Sequence, residues 1–163
     1  MRSKFKFTAY LLGLGCVLFT AIMVNCLFNI ILNPRGELWV VLLACIFFAG
    51  IWTWVVIGEL RTRVISVRIE NEHFIIKRFL GLGISRRFDL SDISGFKTSI
   101  LSSKSGSYEY LYLMVGTKKI AKLSEFYHSN YKELKRYIVS MNIKNIGFEP
   151  FSNRQEFNDI FSV

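Results

Sequence analysis

The sequence is poor in the residues that catalysis and metal binding use. It has two histidines, His73 and His128, and three cysteines, Cys16, Cys26 and Cys45. All three cysteines fall inside apolar runs, so the charged part of the chain can hold neither a disulfide framework nor a cysteine metal site. No nucleophile is paired with either histidine. Gly81-Leu82-Gly83 does not lead into a helix, as a phosphate loop would. Asp89 and Asp92 flank a turn and read as its caps. No enzyme is expected, and no metal or cofactor.

Charge is missing from two long stretches. Phe7 to Pro34 carries none over about 28 residues, and Leu38 to Gly58 none over about 21. A helix crosses the hydrocarbon core with about 20 apolar residues. The mean hydropathy of +0.34 is high for a soluble chain of this size, and these runs supply it. Residues 1–60 therefore read as a hairpin of two transmembrane helices. The first run is far longer than the apolar region of a cleaved signal peptide. Leu42-Leu43-Ala44-Cys45, which looks like a lipoprotein cleavage site, lies too far along the chain to be one. Arg2, Lys4 and Lys6 precede the first span, and Arg61 and Arg63 follow the second. The loop Asn33-Pro34-Arg35-Gly36-Glu37 has one base and one acid. That bias places both termini in the cytoplasm, with Trp39, Trp52 and Trp54 at the interfaces.

The first span has one unusual feature. Asn25, Asn29 and Asn33 recur every four residues on one face, which Gly13, Val17 and Ala21 continue. Carboxamides in hydrocarbon favour helix contacts. Two readings are open. Asn25 and Asn29 hydrogen-bond to the second span, with Asn33 at the interface, or the three form a polar seam between protomers of a homo-oligomer.

Residues 61–163 are basic, with 17 Lys and Arg against 10 Asp and Glu, enough chain for one small domain. Short β-prone segments follow one another: Val64–Glu70, His73–Leu80, Ile84–Leu90, Phe96–Leu101, Tyr108–Val115 and Lys118–Leu123. Asn71-Glu72, the glycine turn and Ser102–Ser107 separate them. These connections are too short for parallel crossovers, so an antiparallel barrel or roll is expected. A one-sided helix from Asn130 to Met141 covers it. A short final helix, capped at Ser152, runs through Phe157 and Ile160.

Binding remains as the function class. Tyr108, Tyr110 and Tyr112 share a strand face. They either pack under the covering helix or form a stacking platform for a base. Arg78, Arg86, Arg87 and Lys97 lie on neighbouring strands. They are either a solvated basic face or a site for an anionic group.

Six strands and a covering helix across Val64 to Met141 resemble the bacterial pleckstrin-homology-like domains appended to membrane hairpins. Phe88-Asp89-Leu90-Ser91-Asp92-Ile93-Ser94-Gly95-Phe96 looks like that family's strand–turn–strand junction. A complete pleckstrin fold has seven strands; six are read here. The whole layout resembles the two-transmembrane β-barrel effectors of bacterial antiphage signalling systems. In those, a cytosolic barrel binds a cyclic nucleotide, and the spans assemble and compromise the inner membrane. The resemblance implies a non-enzymatic effector in the bacterial inner membrane. Arg78, Arg86, Arg87, Lys97, Tyr110 and Tyr112 are its candidate ligand residues, read from the strands and not carried over from a motif. The alternative is an adaptor whose domain binds an anionic lipid headgroup or a protein, an immunity role against a membrane toxin included. A nucleic-acid polymer is not an expected partner.

Overall fold

The structure is a computed structural model and describes residues 1–32, 38–103, 106–152, 154 and 157. Two helices come first, α1 (Phe7–Leu32) and α2 (Leu38–Trp54), and α2 continues into a π-helical turn, Val55–Leu60. The segments Phe7–Asn29 and Leu42–Leu60 are each long and apolar enough to cross a membrane. Only 6% of each apolar window is buried, unlike the mostly buried core helices of a soluble domain. Two of their hydroxyls are satisfied locally: Thr20 donates to the Cys16 carbonyl (2.7 Å) and Thr53 to that of Ala49 (2.8 Å). Between the helices, the Trp52 indole N–H reaches the Cys16 carbonyl (3.4 Å), and Phe19 meets Phe48. The expected interhelical loop lies outside the described residues.

The β-rich part holds seven strands in two sheets. β1 (Ser66–Glu70), β2 (His73–Lys77) and β3 (Ser85–Asp89) form an antiparallel meander. Asn71 and Glu72 join β1 to β2 in a two-residue turn with both φ angles positive (43° and 65°), the hairpin geometry that matches strand twist. β4 (Gly95–Ser103), β5 (Gly106–Val115) and β6 (Lys118–Ser124) form a second antiparallel meander. α3 (Tyr131–Ser140) follows, then β7 (Asn145–Phe148), which lies parallel to β4. The two sheets and α3 enclose one core. Val67, Ile69, Phe74 and Ile76 enter from the first sheet, Leu111, Leu113 and Leu123 from the second, and Leu134 and Ile138 from the helix. Among the described residues no ladder joins the two sheets.

Two elements were not expected. β7 is a four-residue strand seated where Gly95 allows close approach; a Cβ there would lie 2.4 Å from the Lys144 carbonyl oxygen. The other is the segment before α1. Arg2 bridges to Arg68, Ser3 N–H donates to the Val67 carbonyl (2.8 Å), and Ile69 N–H to that of Met1 (2.7 Å). These residues, read only as topological charges, cover the free edge of β1. The hairpin therefore leaves the β-domain and returns to it at one end of the helix pair. Of the final helix expected from Ser152, Arg154 and Phe157 are helical, and the rest lies outside the described residues.

Candidate functional site

The gap between the two sheets is lined by cations. β3 ends the first sheet without meeting the second, and a cleft of about 250 Å³ opens there. Arg78, Arg86, Lys118 and Lys119 line it, with Phe88, Val115 and Ile120 between them. Arg86 stands opposite Ile76 and so shares the inward face of the first sheet, but lies beyond the core at its open edge. Arg78 follows β2 at the turn into the glycine loop. Half-buried there, its guanidinium is held below its ordinary pKa by burial and then by repulsion from Arg86 and Arg61. Crowded positive charge of this kind is relieved by an anion.

A smaller recess adjoins the cleft. Arg61 and Lys122 border it together with Arg78, Lys119 and Tyr112. Lys119 Nζ lies 4.3 Å from the Tyr112 ring centroid, and Lys122 Nζ 4.5 Å from that of Tyr110. Contacts this short are cation–π pairs. Arg63 approaches Tyr110 from further off, at 5.6 Å.

Of the residues expected from sequence, Arg78, Arg86 and Tyr112 come together here. Arg87 does not. It stands opposite Ile75 on the outer face, because consecutive strand residues point to opposite sides. Lys97 is also elsewhere. With Lys119 it holds the Glu149 carboxylate, at 3.1 and 2.7 Å. Burial alone would push the Glu149 pKa up, but the hydrogen bonds from Lys119 and Lys97 outweigh it and hold it below the usual carboxylate range. The tyrosines do not pack under the covering helix; Leu111 and Leu113 take that face. Tyr110 and Tyr112 are 2% and 4% exposed, so a base reaches neither ring without displacing the lysines. Tyr108 meets Phe126 edge to face instead.

Lys118, Lys119, Lys122 and Arg61 were missed by sequence reasoning. The Lys118-Lys119 pair at a hairpin turn was the available signal, as was the strand register that sets Tyr112 against Lys122.

In the helices, Asn25 and Asn29 are exposed, and the Asn29 amide donates to the Asn25 carbonyl (2.9 Å) and side-chain oxygen (2.6 Å). Both bonds run within α1. Asn33 lies outside the described residues. Gly13, further back on the stripe, meets the Leu80 side chain; a Cβ there would lie 2.6 Å from it.

The β-domain is tied to both helices. Tyr127 donates to Glu59 (3.0 Å), which also holds Arg63 (2.5 Å). Burial first, and then the Glu59 carboxylate, pushes the Tyr127 hydroxyl well above its ordinary pKa, so it stays a donor. Ala9, Leu60, Val64 and Tyr127 form a small core at this junction. Asn130 takes the Lys4 N–H (2.8 Å) and donates to the Arg2 carbonyl (2.9 Å), and Lys6 Nζ reaches the Glu125 carbonyl (2.7 Å).

In comparison with known proteins, the chain matches no family, no curated protein and no solved structure.

Proposed function

We propose that the chain is a two-span receptor of the bacterial inner membrane, with both termini in the cytoplasm, whose β-domain binds a small phosphate-bearing ligand. The observation that carries this reading is the convergence of Arg78, Arg86 and Lys118 on one open cleft between the sheets, beside Lys119, which Glu149 already engages. A cyclic nucleotide is the ligand class that the effector resemblance implies. Its phosphates suit the guanidinium groups, which bind such oxygens in pairs. The order of the first six strands and the covering helix supports a pleckstrin-like roll in this reading. No step of chemistry is assigned to it; it is a sensor.

Binding reaches the membrane through the junction. Ligand held between the sheets changes their spacing, and β1 carries both the segment leading into α1 and the residues following the π turn. A ligand shifts such an equilibrium only by binding one arrangement better than the other. The response in this reading is assembly of α1 helices through Asn25 and Asn29, followed by damage to the bilayer in antiphage defence. The second reading is an adaptor for anionic lipid headgroups. The nearness of Arg61 to the end of the second span favours it.

Two adjacent arginines supply the test. Full-length protein in detergent or nanodiscs is titrated with a panel of cyclic nucleotides, with inorganic phosphate, and with anionic vesicles at low and high salt. Arg86→Gln should weaken nucleotide binding by about 10- to 100-fold, the effect of losing a charged hydrogen bond of about 1.5–3 kcal/mol. Arg87→Gln, one residue away on the other face, should leave it unchanged. Equal losses in the two variants would mean diffuse charge and not a site. Binding to vesicles alone, abolished by salt, would leave the adaptor.

A further inference from the structure

The loop from β2 to β3 is built to expose apolar side chains. Among the described residues, no large apolar side chain is more exposed than Leu82 (88%) and Ile84 (89%). The loop is nevertheless well ordered by hydrogen bonds. Leu80 N–H donates to the Val64 carbonyl (2.9 Å), Leu82 N–H to that of Phe79 (2.9 Å), and Gly83 N–H to that of Arg78 (2.9 Å). Phe79 and Leu80 both take positive φ, 51° and 58°, a conformation that L side chains adopt at a cost. That turn packs Leu80, half-buried, at the helix junction and sends Leu82 and Ile84 outward.

The level of the loop is fixed by α1. Leu80 rests against Gly13, which lies about 9 Å along the helix from Phe7 at 1.5 Å per residue. Lys6 is the last charge before the apolar run. The loop therefore reaches past that charge, alongside the apolar part of the helix. Two cations flank it on the outer face of the first sheet. Lys77 pairs with Ser85 and Arg87 with Ile75, so the two are diagonal neighbours beside the loop. Arg87 has no place in the cleft, and here it has one.

We propose that Phe79–Ile84 is a lipid-inserted wedge, with Leu82 and Ile84 among the acyl chains of the adjoining leaflet and Lys77 and Arg87 at its phosphate headgroups. The wedge orients the β-domain on the membrane, so that the cleft beside it faces the interface at a fixed height. This inference rests on the reading of α1 and α2 as membrane spans and not on the identity of the cleft's ligand.

A depth measurement tests it. Cys16, Cys26 and Cys45 are replaced by alanine, and one cysteine at a time is introduced at Leu82, Ile84, Leu43 or Ser91. Each carries an environment-sensitive fluorophore in full-length protein reconstituted into phosphatidylcholine–phosphatidylglycerol vesicles containing brominated lipid. Leu43 is an exposed residue of α2. Ser91 follows Leu90, which bonds to the Glu72 carbonyl at the far turn of the first sheet. The wedge predicts blue-shifted emission and severalfold stronger quenching at Leu82 and Ile84 than at Ser91, with Leu43 quenched as well. Quenching at Leu43 with Leu82 and Ile84 behaving like Ser91 overturns the wedge and leaves the spans standing. No quenching at Leu43 overturns the spans and the wedge together. Equal quenching at Leu82 and Ser91 overturns the wedge too, since the loop is then not what selects the bilayer.

Discussion

The helical hairpin and the β-domain are surfaced for different solvents. On α1 and α2 most outward side chains are apolar, as at Val17, Ile31 and Leu43, and the sharpest exceptions among the described residues are the carboxamides of Asn25 and Asn29. On the β-domain the outward positions of β1 and β3 are charged, as at Arg68, Glu70 and Arg87, and the sharpest exceptions are Leu82 and Ile84. An exposed side chain of the wrong polarity is costly unless something meets it. The two sets of exceptions thus point to different contacts: a polar partner for one face of α1, and an apolar medium for one loop of the domain.

The comparison breaks first on stability. Leu113 and Leu82 are both leucines of the β-domain, one in the shared core and one in the exposed loop. Leu113→Ala should destabilise the domain by about 2–5 kcal/mol, the usual result of a core cavity. Leu82→Ser should stay within about 0.5 kcal/mol in detergent, because the Leu82 side chain is almost wholly exposed. Denaturant melts of the two variants in detergent check this. A large loss from Leu82→Ser would mean that the loop belongs to the fold and not to a contact outside it.

The helical exception gives a smaller effect. Replacing Asn25 and Asn29 together by leucine should leave insertion intact and weaken cross-linked oligomers. Interhelical hydrogen bonds in membranes contribute about 0.6–2 kcal/mol each. Unchanged cross-linking and unchanged toxicity on overexpression would confine the carboxamides to the bond they make with one another along α1.

Local signals were legible in the sequence and register was not. Runs without charge announced both helices, and alternation announced six strands to within a few residues. The same alternation already forbade Arg86 and Arg87 from one face. It also set Tyr110 and Tyr112 together, but could not say which face α3 would cover; Leu111 and Leu113 took it. β7 has four residues, all exposed, and owes its place to β4 and Gly95. Lys97 looked available because Glu149, which holds it, is 52 residues away. The bridged segment before α1 was hidden for a different reason. Its basic residues carry a topological signal that accounted for them without any fold.

That N-terminal segment is held in part by His128, and the hold should depend on pH. His128 is 1% exposed, Phe5 bridges to it, and their rings lie 5.3 Å apart. Nε2 donates to the Ile65 carbonyl (2.8 Å); Nδ1 accepts the Ser124 N–H (3.2 Å) in the neutral ring and lies 2.9 Å from the Ser124 carbonyl, to which it donates when protonated. Burial pushes the imidazole pKa below the ordinary 6.5, and Lys6 adds to this, while the bonds to the Ile65 and Ser124 carbonyls oppose it. With the folded value depressed, the unfolded chain binds the proton first as pH falls. The stabilisation is therefore complete above about pH 6.5 and is lost as pH falls from there through the folded value. Its slope is at most about 1.4 kcal/mol per pH unit for one group. Melting of the full chain in detergent should show a larger drop between pH 7.5 and 5.5 in the wild type than in His128→Gln, which has no proton to gain. The variant will start less stable, so the comparison is of the two drops and not of the two midpoints. Equal drops would assign the acid sensitivity to other groups and leave His128 as a packed hinge between the domain and α1.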